Sequence, residues 1–163
     1  MIAALRPILR RDLDTLIREL ELYPDDAGLW MAVLGQPTAG GNLALHLAGN
    51  LRHFIGATLG GTGYVRERER EFSSTGLTRE AVIAEVRLAA ADVDATLAAL
   101  EPARVAEPYP LEIQGIRLGT EVVLLHLATH LAFHLGQVDY HRRSVTGDRT
   151  SAGPLALAPL ASR

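Results

Sequence analysis

The stretch HLATHLAFHLGQVDYHRR, His126–Arg143, decides how this chain is read. It holds His126, His130, His134 and His141, four of the chain's six histidines, and three of them recur every fourth residue. A helix turns 100° and rises 1.5 Å per residue, so His130 and His134 share a face about 6 Å apart along the axis. The residues between them are Leu, Ala and Phe. In such surroundings an unpaired imidazole costs free energy. A lone helical histidine is ordinarily a hydrogen-bonded core or boundary residue, and an isolated H-x-x-x-H arises by chance. Several histidines together need a common partner. Imidazoles at i and i+4 can chelate one metal ion, provided another element adds a ligand.

The obvious donor is His46 in NLALHLAGNLRHFIG, mid-helix among Leu43, Leu47 and Leu51. Asn50 and His53 follow it one and two turns on. Asn50 fits beside a ligand, or in a helix–helix contact. His53 either faces the pocket mouth or is only a boundary residue, and the second reading is preferred. Gln137, three residues past His134, orients a ligand or substrate, or bonds a neighbouring helix. His126 and His134 stand about 12 Å apart on a straight helix, so His126 is given a supporting or capping role. His141 begins the basic end HRR, where positive charge suits a helix C-terminus.

Working outward, residues 2–22 form an amphipathic helix with Leu5, Leu9, Leu13, Leu16, Ile17 and Leu20 on one stripe. Pro7 is placed in its first turn. Residues 28–38 resist assignment. A second helix runs from Asn42, as cap, to Leu59, ended by Gly60–Gly61. A third covers Arg79–Leu100, capped by Thr78, and the last covers Thr120–Ser144, capped by Thr120. LEIQGIRLGT alternates around Gly115 and predicts a short hairpin before the last helix. The expected fold is all-α: an antiparallel four-helix bundle forming a single domain over 1–150, with an extended C-terminal tail at 151–163.

Composition narrows the chemistry. The 163 residues are 48% hydrophobic and 21% charged, with net charge −3. This is a globular composition with no basic excess to suggest nucleic acid. There is no Cys, so a metal must be held by His, carboxylate or amide. All sixteen basic residues are Arg, which removes a Schiff-base lysine. No apolar run approaches membrane-span length, and the N-terminal one is too short for a signal peptide, so the expected location is cytoplasmic. Apolar helix faces and the tail suggest a homodimer.

His130, His134, Gly136 and Gln137 fit the pattern H-x-x-x-H-x-G-Q, and the stretch resembles the last helix of the DinB/YfiT-like superfamily. LALHLAGNLRHFIGATLGGTGYVRERERE is similar to that superfamily's second helix and following loop. The resemblance implies a four-helix fold in which His46, His130 and His134 hold a divalent metal ion, zinc or nickel. It also implies a thiol S-transferase or a hydrolase. Its substrate would be a small molecule, with a low-molecular-weight thiol as partner. A non-catalytic, metal-stabilised stress-response or interaction module is the alternative. Three neutral imidazoles leave a coordination position open, as reactive sites do.

The run RERERE, Arg66–Glu71, reads first as a solvated, self-paired segment. Its alternative is a Glu or Arg that reaches the metal pocket as general base or anion anchor. Tyr64, just before it, could cover the opening. No general base is assigned; Glu69 and His53 are weak candidates.

Overall fold

The computed structural model describes residues 1–161 and is all-helical, without strands among them. The helices are α1 (Ile2–Glu21), α2 (Gly40–Leu51), α3 (Thr58–Gly60), α4 (Arg68–Ser73), α5 (Arg79–Ala99), α6 (Pro102–Val105) and α7 (Thr120–Thr146). A π-helical stretch, Arg52–Ala57, joins α2 to α3 without a break. The 3-10 turns Ala27–Trp30 and Ala158–Leu160 complete the set.

The apolar stripes explain the packing. Leu5, Leu9, Leu13, Leu16 and Leu20 of α1 are buried, as are Leu43, Leu47 and Leu51 of α2. Val82, Val86 and Val93 of α5 join them, with Leu127, Leu131 and Leu135 of α7. Each such side chain contributes about 1.5–3 kcal/mol by leaving water. The helices α1 and α2 each pack against both α5 and α7, and α2 also carries α4. Ile17, placed on the stripe from sequence, is only partly buried at its edge.

Several boundaries differ from the sequence expectation. Pro7 lies in the second turn of α1, where it removes one backbone hydrogen bond. Asn42 and Thr120 are not caps: Ala39 and Gly119 hold those positions, and neither makes a side-chain cap bond. Asn42 instead lies inside α2, and its Nδ2 donates to the carbonyls of Glu71 and Ser74. Thr78 does cap α5, accepting from the Ala81 N–H at 3.2 Å. The expected hairpin is a two-residue turn, Gln114–Gly115, both at positive φ. Reciprocal Ile113–Ile116 backbone bonds close it, but no strands extend from it. Residues after Gly147 run back along α1: Arg142 donates to the carbonyls of Asp148 and Thr150, and Arg18 to that of Ala152. Of the tail expected to be extended, residues 162–163 lie outside the described residues.

Candidate metal centre

The contact between α2 and α7 sets the site. On α7, His130 and His134 follow Leu127 and Leu131 by three residues each. The histidine row therefore flanks the buried leucine row instead of pointing to water. On α2, His46 follows Leu43 in the same way. Side-chain nitrogens of His46, His130 and His134 all lie within 4.8 Å of one another. His46 is buried; His130 and His134 are half-buried. The ring centroids stand 4.5–5.3 Å apart.

Two of the rings have fixed orientations. His46 Nδ1 lies 3.0 Å from Glu71 Oε2. A carboxylate accepts, so the proton sits on Nδ1 and Nε2 keeps its lone pair. His134 Nδ1 donates to Gln137 Oε1 at 2.6 Å, which likewise frees its Nε2. His46 Nε2 and His130 Nε2 are 3.3 Å apart. Two nitrogens on one tetrahedral zinc, each about 2.0–2.1 Å from it, stand about 3.3–3.4 Å apart, so the pair fits. His130 Nδ1 is buried without a hydrogen-bond partner. Burial, and then the neighbouring imidazoles, push the His130 pKa down to about 4. His134 is lowered too, by burial and then, against its Gln137 bond, by His46. Both rings are therefore neutral near pH 7, as metal ligands must be.

The RERERE run divides. Glu67 to Arg70 are exposed, with Arg70 bonded to Glu67 at 3.0 Å. Glu71 is buried, and Arg66 grips both its oxygens at 2.7 Å. Burial pushes the Glu71 carboxyl up, but Arg66 and His46 outweigh it and hold it below the usual carboxylate range. Gly49 makes room for it: a Cβ there would collide with Glu71 Oε1. The solvated reading thus holds for the middle of the run and is corrected at its last residue, which orients a histidine of the cluster. The signal was positional, since the run follows directly on the helix bearing His46.

The other sequence candidates scatter. Asn50, one turn after His46 on α2, is buried with Oδ1 unpartnered. His126 is exposed, its ring 6.0 Å from that of His130. His53 falls within the π-helical stretch, which shifts its register, and its ring packs on Phe54 instead. Glu69 is exposed on α4. Tyr64 is half-buried under the Arg52 guanidinium, 4.1 Å from its centroid. His141 is a correction. It is fully buried and bonded to Tyr23 Oη at 2.7 Å and the Met31 carbonyl at 2.9 Å. Burial lowers its pKa, so it is a neutral cross-link and not a helix-end cation.

Beside His134 a groove of about 350 Å³ opens, with Leu43, Pro37, Phe72 and Tyr140 as apolar walls and Gln137 as a polar one. Phe72 also covers the His46 ring, 4.9 Å between centroids.

An all-helical frame with three convergent imidazoles on two helices, two of them oriented by hydrogen bonds, defines a helical protein equipped to hold a divalent metal. Residues 8–138 match the family model of the DinB superfamily, and the chain belongs to that superfamily. No curated protein and no solved structure matches the chain.

Proposed function

We propose that this protein is a metal-dependent enzyme of the DinB type, a thiol S-transferase or hydrolase acting on a small molecule. His46, His130 and His134 would hold one divalent ion, zinc or nickel, in a frame formed by α1, α2, α5 and α7 as an antiparallel four-helix bundle. The observation that carries this reading is the convergence of three imidazoles, of which His46 and His134 have their outer nitrogens already engaged by Glu71 and Gln137. Three protein ligands are one fewer than a closed structural zinc site uses. A bound ion would supply Lewis-acid activation of a thiol or a water. The chain's own residues do the rest. Glu71 and Gln137 fix the imidazole tautomers, Phe72 shields the cluster from water, and the groove beside His134 receives the apolar part of a substrate. A low-molecular-weight thiol is the natural co-substrate. A cytoplasmic setting keeps such thiols reduced.

The test is metal content by mass spectrometry, wild type beside His134→Ala, followed by thiol-consumption and amide-hydrolysis assays. About one metal per chain, lost in the variant, supports the site. No metal after incubation with zinc, nickel and manganese would sink it. Metal binding without turnover would leave the non-catalytic module.

A further inference from the structure

The groove beside His134 is lined by the loop 35–38, Leu43, Phe72, His134, Gln137 and Tyr140. None of these residues is Asp, Glu, Lys or Arg, although 21% of the chain is charged. Arg66, which reaches to 3.2 Å from His46 Nδ1, is taken up by both oxygens of Glu71 and does not line the groove. The loop wall is a built feature. Gly35, at φ 79°, turns the chain so that the Gln36 N–H donates to the Val33 carbonyl at 2.9 Å. Gln36 Nε2 then donates to Ser144 Oγ at 3.3 Å, which ties the loop to α7. Phe72 is seated against the His46 ring, 4.9 Å between centroids. Gln137 supplies the polar end. Its Oε1 accepts from His134 Nδ1 at 2.6 Å, so the amide is fixed with its oxygen toward the histidine. The amide nitrogen carries two further N–H donors, and they donate to no other group among the described residues.

We infer, building on the metal-dependent reading above, that this groove selects an uncharged aromatic substrate carrying a carbonyl-type oxygen, which accepts from Gln137 Nε2. In thiol transfer this is the co-substrate that is not the thiol; in hydrolysis it is the acyl part. Three properties of the lining choose the class. An ion entering the groove loses water and meets no counter-charge, which turns away carboxylated and phosphorylated compounds. The same cost turns away a thiol built on an amino acid, whose ends are charged, so the thiol does not share this groove. Phe72 and Tyr140 offer aromatic surface, against which another ring packs well. A donor fixed by His134 favours a compound with an acceptor over the matching hydrocarbon. That donor belongs to the residue bonded to His134, so the oxygen it holds lies at the end of the groove nearest the histidine cluster.

Three probes of one shape test this: methyl 1-naphthoate, the 1-naphthoate anion and 1-methylnaphthalene. Their affinities are read by fluorescence and NMR titration of the metal-free protein. The ester should bind at least about tenfold more tightly than the anion. It should bind about three- to tenfold more tightly than the hydrocarbon, the worth of one net hydrogen bond. Gln137→Leu should abolish the preference over the hydrocarbon, and Phe72→Ala should weaken all three probes. Thr38→Arg supplies the missing counter-charge on an exposed loop and should reverse the order of ester and anion. Amide shifts should change at residues 35–38 and at Gln137. An anion bound as tightly as the ester by wild type would overturn the inference. So would an ester that does not bind up to its solubility limit, or one whose shift changes avoid the loop and Gln137. A preference over the hydrocarbon that survives Gln137→Leu would remove Gln137 as the donor. All of these affinities are taken without metal, so their failure is separate from a failure of the metal site, which metal content reads by itself.

Discussion

At the scale of single residues, Glu71 links the half-buried Arg66 guanidinium to an imidazole. Its carboxylate stays ionised because Arg66 and His46 together outweigh the cost of burial. Replacing it with Gln keeps an acceptor for His46 but leaves the half-buried Arg66 without its counter-charge. Groups that orient metal ligands in this way typically contribute 10–100-fold in affinity, so Glu71→Gln should weaken zinc binding by about that factor. Competition with a chromophoric chelator measures it, and unchanged affinity would mean that Glu71 does not orient His46. Titration of buried imidazoles gives a second residue-scale prediction. Burial lowers His141, which also accepts from Tyr23 and donates to Met31. As pH falls, the unfolded chain takes up that proton first, near the ordinary histidine pKa of about 6.5. Stability is then complete above about pH 6.5 and declines below it toward the folded pKa. His53, His130 and His134 are lowered as well and add in the same direction. The metal-free protein should therefore show a falling urea midpoint between about pH 7 and about pH 5, with a shallower slope in His141→Asn. A midpoint indifferent to pH over that range would contradict the assignment of neutral buried rings.

At the scale of elements, α1 and α7 are joined by a pair that apolar periodicity does not reveal. Glu19 and Arg142 are fully buried, with Oε2 and Nε 2.6 Å apart. Arg142 also holds the backbone that folds back after α7. Removing Glu19 leaves the buried Arg142 only the longer pair with Asp139, at 3.2 Å, so Glu19→Leu should cost about 3 kcal/mol, the lower end for a broken buried pair. Glu19→Leu with Arg142→Met should recover much of that loss, and a double-mutant cycle by urea denaturation reads the coupling. Equal losses in the single and double variants would show that the pair is not coupled. This is also the scale at which sequence reading was most uneven. The leucine stripe of α1 and the Thr78 cap of α5 were legible, because periodicity and capping are local. The π-helical stretch after α2 was not. There Thr58 Oγ1 donates to the carbonyl of His53, five residues back, within a widened turn. Glycines let α5 approach that turn, as at Gly56, where a Cβ would stand 3.2 Å from Asp92 Cβ. That combination depends on a distant helix, and His53 within it packs on Phe54 and is not among the three clustered histidines. The caps assigned to Asn42 and Thr120 failed for a related reason. The cap lies three residues earlier at α2 and one earlier at α7, and Asn42 is drawn to α4.

At the scale of the whole molecule, the three histidines were legible although their apposition was not a local property. His46 and His130 are 84 residues apart, and only the packing of α2 on α7 brings them together. Spacing identified the pair on α7, and an imidazole on an apolar helix pointed to its complement. Glu71 was not assignable, because nothing in an alternating Arg–Glu run distinguishes the one carboxylate that turns inward. The long-range closure has a thermodynamic consequence. An ion held by both helices binds the folded chain and not the unfolded one, so it adds RT ln(1 + [L]/Kd) to stability. At free zinc about 100 times Kd this is about 2.7 kcal/mol. For a chain of this size that raises Tm by about 5–10 °C. Thermal unfolding with zinc and with chelator should show that difference in wild type and little of it in His46→Ala or His130→Ala. Equal Tm values for metal-loaded and chelated wild type would mean that the metal does not bridge α2 and α7. A zinc-dependent rise that survives both substitutions would place the binding elsewhere on the chain.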